Sequence, residues 1–255
     1  MVVLRHTRAA GKTRLFYQWE SAQLTNSHWR PMGIAMQADP QYGETPGGLQ
    51  APFVFKENGR FVMVYGDWEH ICSAESSDGK TFTRRLDVAG RSGLFSQAPG
   101  ANTRDPMVLR VDQLWHCYYT AHPQNRGAVY ARTSIDLRTW SASRLLVARG
   151  GRAGTGPGSA ECPFVVETQP GHFYLFRTQR YGPDPQTSVY HSTDPLSFGV
   201  DDDSAHFVCT LPVAAPEILN YQGQTFIAAL LPSLKGIQIT RLIWEPRPSA
   251  PAQKR

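Results

Sequence analysis

The sequence predicts an all-β protein, a five-bladed β-propeller, and three observations predict it. A proline followed by apolar residues recurs at Pro52, Pro106, Pro163 and Pro216, spaced 54, 57 and 53 residues apart. Each copy is followed by a turn pair and then by an aromatic-rich run. A third element ends in Ser or Thr, then Asp, then an aromatic four residues on: Asp78 to Phe82, Asp136 to Trp140, Asp194 to Phe198. A period of this size, built from short strands and tight turns, is that of propeller blades, each a small antiparallel sheet.

Taken in order, Val2-Val3-Leu4-Arg5 reads as the first strand of an N-terminal blade, and Arg14-Leu15-Phe16-Tyr17 as its second. Asn26 to Trp29 reads as a shortened third element. The next four blades open at Pro52, Pro106, Pro163 and Pro216, since proline is tolerated at the first residue of a strand. Their turns are expected at Asn58-Gly59, Asp112-Gln113, Pro170-Gly171 and Gln222-Gly223. Their second strands follow, as in Arg60 to Tyr65, Leu114 to Tyr119, His172 to Phe176 and Thr225 to Ala229. No amphipathic helix interrupts the series. The expected organisation is one domain over residues 1–245 and a flexible Pro-rich tail over 246–255.

Composition narrows the function classes. The chain is 41% hydrophobic and 18% charged, which is globular and not disordered. Lys and Arg are scattered, and no basic stripe with interleaved aromatics suggests nucleic acid as a partner. No apolar run has the length of a membrane-spanning helix, and Val-Val-Leu-Arg-His after Met1 is too short an apolar stretch for a signal peptide. A cytoplasmic protein is the expectation. Cys72, Cys117, Cys162 and Cys209 show no paired spacing and read as free thiols, so neither metal nor cofactor is expected.

In a propeller the start of each inner strand and the end of its neighbour share one face. That face would collect Asp105 and Glu161, at matching thresholds of adjacent repeats, as two carboxylates for acid/base work on a sugar. Arg104 and Gln50 stand at the same strand starts. The loops after the second strands add Trp19 and Glu20, Asp67 and Trp68, His122, Arg180 and Tyr181, and Lys235. Carboxylates, an Arg and an aromatic rim suit a carbohydrate partner.

At these residues the chain resembles the five-bladed propeller glycosidases, above all glycoside hydrolase family 32 and its relative family 43. Arg104-Asp105-Pro106 and Glu161-Cys162-Pro163 match the Arg-Asp-Pro and Glu-Cys-Pro motifs of family 32 in residue type, order and blade. Leu15-Phe16-Tyr17-Gln18, then His28-Trp29 through Ile34-Ala35-Met36, is similar to that family's first blade. The resemblance implies a hydrolase of fructosides, arabinosides or similar furanosides. In it Glu161 is the general acid/base and Asp105 a carboxylate that stabilises the transition state, with Arg104 bracing Asp105 or binding substrate.

The family also carries an Asp-Pro at the start of its first blade, and Met1-Val2-Val3-Leu4-Arg5 parallels the residues that follow such a motif. The missing carboxylate is expected just before residue 1, and Gln50-Ala51-Pro52 offers no replacement. The family 32 C-terminal β-sandwich has no counterpart either. On this reading the 255-residue chain is a poor hydrolase that still binds sugar. Carbohydrate binding without turnover and a protein-interaction propeller are the competing functions.

Overall fold

The computed structural model describes residues 2–8, 13–26, 28–147, 156–200 and 204–245. The expected tail, residues 246–255, lies outside them. Strands β1 (Val2–Arg8), β2 (Arg14–Glu20) and β3 (Arg30–Met36) form the first sheet. The second holds β4 (Gln50–Glu57), β5 (Arg60–Gly66), β6 (Ile71–Ser76) and β7 (Thr83–Arg84), with β8 (Gly93–Phe95) also paired to β6. The third runs β9 (Arg104–Val111), β10 (Leu114–Ala121), β11 (Ala128–Ser134) and β12 (Arg144–Val147). The fourth runs β13 (Glu161–Gln169), β14 (His172–Arg180), β15 (Gln186–Ser192) and β16 (Phe207–Leu211). The last holds β17 (Ala214–Tyr221), β18 (Gln224–Leu230) and β19 (Ile237–Arg241). All pairs are antiparallel, and no α-helix occurs among the described residues. The arrangement is a β-propeller.

The local chemistry explains the hairpins. Asn58 and Gly59 both have positive φ (48° and 79°), as do Gln222 and Gly223 (50° and 73°), which is the backbone a two-residue hairpin loop needs. The repeated Ser-x-Asp is a turn device. Ser134 Oγ accepts from Asp136 and Leu137 N–H, while Asp136 Oδ1 accepts from Arg138 and Thr139 N–H, each at 2.8–3.2 Å. Ser76 and Asp78 repeat the pattern after β6. Packing follows from alternation along the strands. Phe16, Met36, Leu49, Met63 and Tyr65 fill the space between the first two sheets. Val64, Ile71, Val108, Trp115 and Tyr119 fill the next, and Tyr118, Phe164, Val165, Leu175 and Phe176 the one after. At roughly 1.5–3 kcal/mol for each large side chain buried, these seams hold successive sheets together.

Two expectations are corrected. Inner strands start two residues before each proline, at Gln50, Arg104, Glu161 and Ala214. The residue just before the proline is left-handed every time: Ala51 (47°), Asp105 (55°), Cys162 (47°) and Ala215 (48°). The strand register shifts at each of these points, so every inner strand opens with a β-bulge.

The second correction concerns the N-terminal sheet. Arg14, at the start of β2, bonds to the carbonyl of Gly47 beside the start of β4, and Glu20, at its end, reaches Lys80 beyond the end of β6. So β2 runs parallel to β4 and β6, as a third strand, and β1 packs on β4 as β5 packs on β9. Ser21 confirms the assignment, since its Oγ takes the Gln23 N–H at 3.4 Å as the repeat serines do, and Leu24 is buried like Leu137. Four sheets therefore carry the inner strand of the repeat. In the first, no described strand lies inside β1, and residue 2 is not the start of an inner strand.

Gly48 is the tightest point of this scaffold. A Cβ there would lie 2.5 Å from the Asp67 carbonyl and 2.6 Å from Trp68 Cδ1. Gly48→Ala is expected to lower unfolding free energy by about 2 kcal/mol, an overpacking cost. Urea titration of the two proteins measures it.

Candidate active site

The starts of β4, β9 and β13 converge at one face because each pairs there with the end of the next strand: Gln50 with Gly66, Arg104 with Thr120, Glu161 with Thr178. Gly66 has no side chain and lets the Arg104 backbone come close. Arg104 is the hub. Its side chain is only 7% exposed, and its guanidinium donates to Glu161 Oε1, to the Asn102 carbonyl at 3.1 Å and to the Pro157 carbonyl at 3.5 Å. Asp105 Oδ2 lies 3.7 Å from Arg104 Nε and accepts the Cys162 N–H at 3.1 Å. Cys162 Sγ sits 3.5 Å from the same oxygen and 3.2 Å from the Tyr181 hydroxyl.

Asp105 and Glu161 are thus brought together on one guanidinium, side by side on adjacent sheets. They do not occupy matching places. By distance from the proline, Asp105 corresponds to Cys162 and Glu161 to Arg104. Burial raises the Glu161 carboxyl above the usual range and the Asp105 charge adds to it, while Arg104 and Tyr181 pull it down. Burial also raises the Cys162 thiol and the Tyr181 hydroxyl, so both keep their protons. A Cβ on Gly158 would lie about 4 Å from the Glu161 carboxyl, so the loop passes that carboxyl with no side chain of its own at this position.

The other sequence-predicted residues divide. Gln50 is buried at the same face, bonded to Arg14 and, at 3.3 Å, to Asn102. Trp68 has the Arg14 guanidinium 4.2 Å above its ring. His122 is half-buried beside Arg104, and burial with that neighbouring charge lowers the titration of its ring and favours the neutral form. Its Nδ1 is buried with no hydrogen-bond partner among the described residues. Asp67 is fully buried and holds its own loop, accepting from Thr45, Glu69 and His70 N–H at 2.6–3.2 Å. Arg180 turns back to Asp184, 2.5 Å away, and Lys235 is exposed in the β18–β19 loop.

Trp19 and Glu20 lie at the far end of β2, away from this face. Glu20 is paired there with Arg30 at 2.5 Å and with Lys80, which hold its carboxyl down at about 2. Arg14 and Asn102 were not anticipated. The signal for Arg14 was present: Tyr17, Ser21 and Leu24 align with Tyr130, Ser134 and Leu137, which makes β2 a third strand. One further inner-strand carboxyl, Glu217 on β17, faces enough protein for desolvation to push it to about 7, although the residue as a whole is open to water. Among the described residues no group of His, Cys, Asp and Glu is placed to hold a metal ion.

Known proteins sharpen the fold and not the family. No family profile and no curated protein sequence matches the chain. Among solved structures it is similar to an endo-arabinase from Bacteroides thetaiotaomicron, with a TM-score of 0.75 and 14% identity over 96% of this chain and 90% of that one. A thermostable family-43 glycoside hydrolase gives 0.70 and 17% over 96% and 91%. A family 32 β-fructofuranosidase of Bombyx mori, solved with sucrose, gives 0.67 and 16% over 89% of this chain, which spans about half (51%) of that enzyme. The chain shares the propeller fold of these glycoside hydrolases.

The electrostatics make a direct prediction. Asp105→Asn removes a like charge and is expected to lower the titration midpoint of Glu161, whereas Arg104→Gln removes the opposing cation and is expected to raise it. Carboxyl carbon chemical shifts followed over pH read both directions.

Proposed function

We propose that the chain is a glycosidase-type propeller of five blades that acts on furanosides, fructoside or arabinoside in kind. The observation that carries this reading is the convergence of Asp105 and Glu161 on Arg104 at one mouth of the propeller. The raised Glu161 carboxyl holds its proton to higher pH than an ordinary carboxyl and can give it to the oxygen of the leaving group. The carboxyl of Asp105, fixed by the Cys162 N–H, is placed to accept from a sugar hydroxyl and to favour positive charge developing on the ring. Arg104 keeps the two acids from repelling one another and fixes their spacing. Gln50, Trp68 and His122 supply amide, aromatic and imidazole contacts around the mouth. The solved glycoside hydrolases of the same fold support the reaction class.

A second reading, sugar binding without turnover, rests on the first sheet. Its described residues bring no carboxyl to this face, and the side chain that reaches Gln50 from there is the cation of Arg14. One experiment separates the two. If Glu161 is the proton donor, the chain cleaves aryl-furanosides or sucrose, and Glu161→Gln loses turnover by about 10²-fold or more while sugar affinity stays within a few-fold. Calorimetric sugar binding by both proteins with turnover by neither establishes the binding module. Equal turnover by both assigns the acid elsewhere.

A further inference from the structure

Among the described residues Trp68 is the one aromatic with a positive φ, 82°. A bulky side chain in that conformation is strained, and it persists only where its surroundings fix it. Here they do. The Asp67 carboxylate accepts the Glu69 and His70 N–H groups within the loop, and Trp68 pairs with Thr103 as an antiparallel bridge. Glu69 Oε2 accepts the Gly100 N–H at 3.1 Å, and Gly48 has no Cβ to displace the indole. The loop carries Trp68 two residues beyond Gly66, which pairs with Gln50 at the mouth. The ring is half-buried, with the Arg14 guanidinium 4.2 Å over it and bonded to Gln50 Oε1, so one face is filled. The indole N–H makes no hydrogen bond among the described residues and is not enclosed by them. An aromatic face beside an unspent N–H suits a sugar ring, whose C–H groups stack and whose hydroxyl accepts.

The order of the sheets says which sugar. Strand β9 lies between β4 and β13. Asp105 and Glu161 meet on its β13 side, whereas Trp68 stands on its β4 side through the bridge to Thr103. A proton given by Glu161 sets the leaving group toward the fourth sheet. The retained sugar then lies over Asp105, and the next unit of the chain continues toward Trp68. We propose that Trp68, backed by Arg14, is the platform for a second furanose unit on the retained side of the scissile bond. The substrate is then an oligofuranoside, taken in preference to sucrose or a single-sugar glycoside. This rests on the reading of Glu161 as the proton donor at a furanoside site.

The test is calorimetric binding to the full chain of methyl glycosides with one, two and three furanose units, in an arabinose and a fructose series. Glu161→Gln replaces the unmutated chain for any ligand that is cleaved. Affinity is expected to rise about tenfold from one unit to two, the size of one aromatic contact, and little from two to three. Trp68→Ala is expected to lose that gain and to leave the affinity for one unit little changed. Trp68→Gly takes the positive φ without strain, so it removes the same ring with less risk to the fold. With Trp68 in place, its indole N–H resonance, assigned by its absence in Trp68→Gly, is expected to shift with the two-unit ligand and not with the one-unit ligand. Equal affinity for one and two units overturns the proposal. So does a Trp68 variant that weakens all lengths alike, or an indole resonance unmoved by two units. Binding at no length in either series refutes the furanoside reading itself, and the platform with it. Length-dependent binding without turnover refutes the hydrolysis alone and leaves the platform standing.

Discussion

A left-handed residue before each proline is the constraint on which the site depends. In an even strand, neighbouring side chains point to opposite faces. The bulges at Ala51, Asp105, Cys162 and Ala215 break that alternation where the inner strands begin. Because of it, Arg104 and Asp105 both reach the junction with the next sheet, and Glu161 and Cys162 meet them there. The conformation costs of order 1–2 kcal/mol for a residue with a Cβ. It recurs in four sheets regardless of side chain, so the scaffold imposes it, and two of the four copies present chemistry. Strain held by a repeated frame and used by a few positions is how a symmetric fold acquires an asymmetric site.

Electrostatics set the character of what is placed there. Arg104 is buried with two carboxyl groups and two backbone carbonyls around it, a set that a planar guanidinium can satisfy and a lysine cannot. The arrangement is asymmetric. Asp105 has the Cys162 backbone N–H, while Glu161 has only donors from side chains, and burial there outweighs them. Two acids of ordinary type thus receive different environments from one cation.

Much of the fold was legible because its signals are backbone signals. Proline at strand starts, Asn-Gly and its analogues in hairpins, and Ser-x-Asp after third strands each satisfy local geometry, and they recur with the sheets. The N-terminal sheet was misread by one strand because β1 and β2 both read as apolar runs, and only Ser21 and Leu24 mark which of them is the third. Side-chain roles were less legible. Asp67 and Glu20 are carboxyls near strand ends like Asp105, yet one caps its own loop and the other pairs with surface cations at the opposite face. Nothing within a few residues of either distinguishes those roles. The distinction lies in partners distant in sequence, as it does for Arg14 and Tyr181.

The central claim is that one sugar ring belongs between the Asp105 and Glu161 carboxyls at the mouth formed by β4, β9 and β13. A crystal structure of the chain soaked with a furanose at millimolar concentration tests it most directly. The account predicts electron density for the ring there, with a hydroxyl within hydrogen-bond distance of Asp105 and an oxygen within that distance of Glu161. A ring bound only elsewhere on the surface, with the Arg104 cluster unchanged and empty, would contradict it.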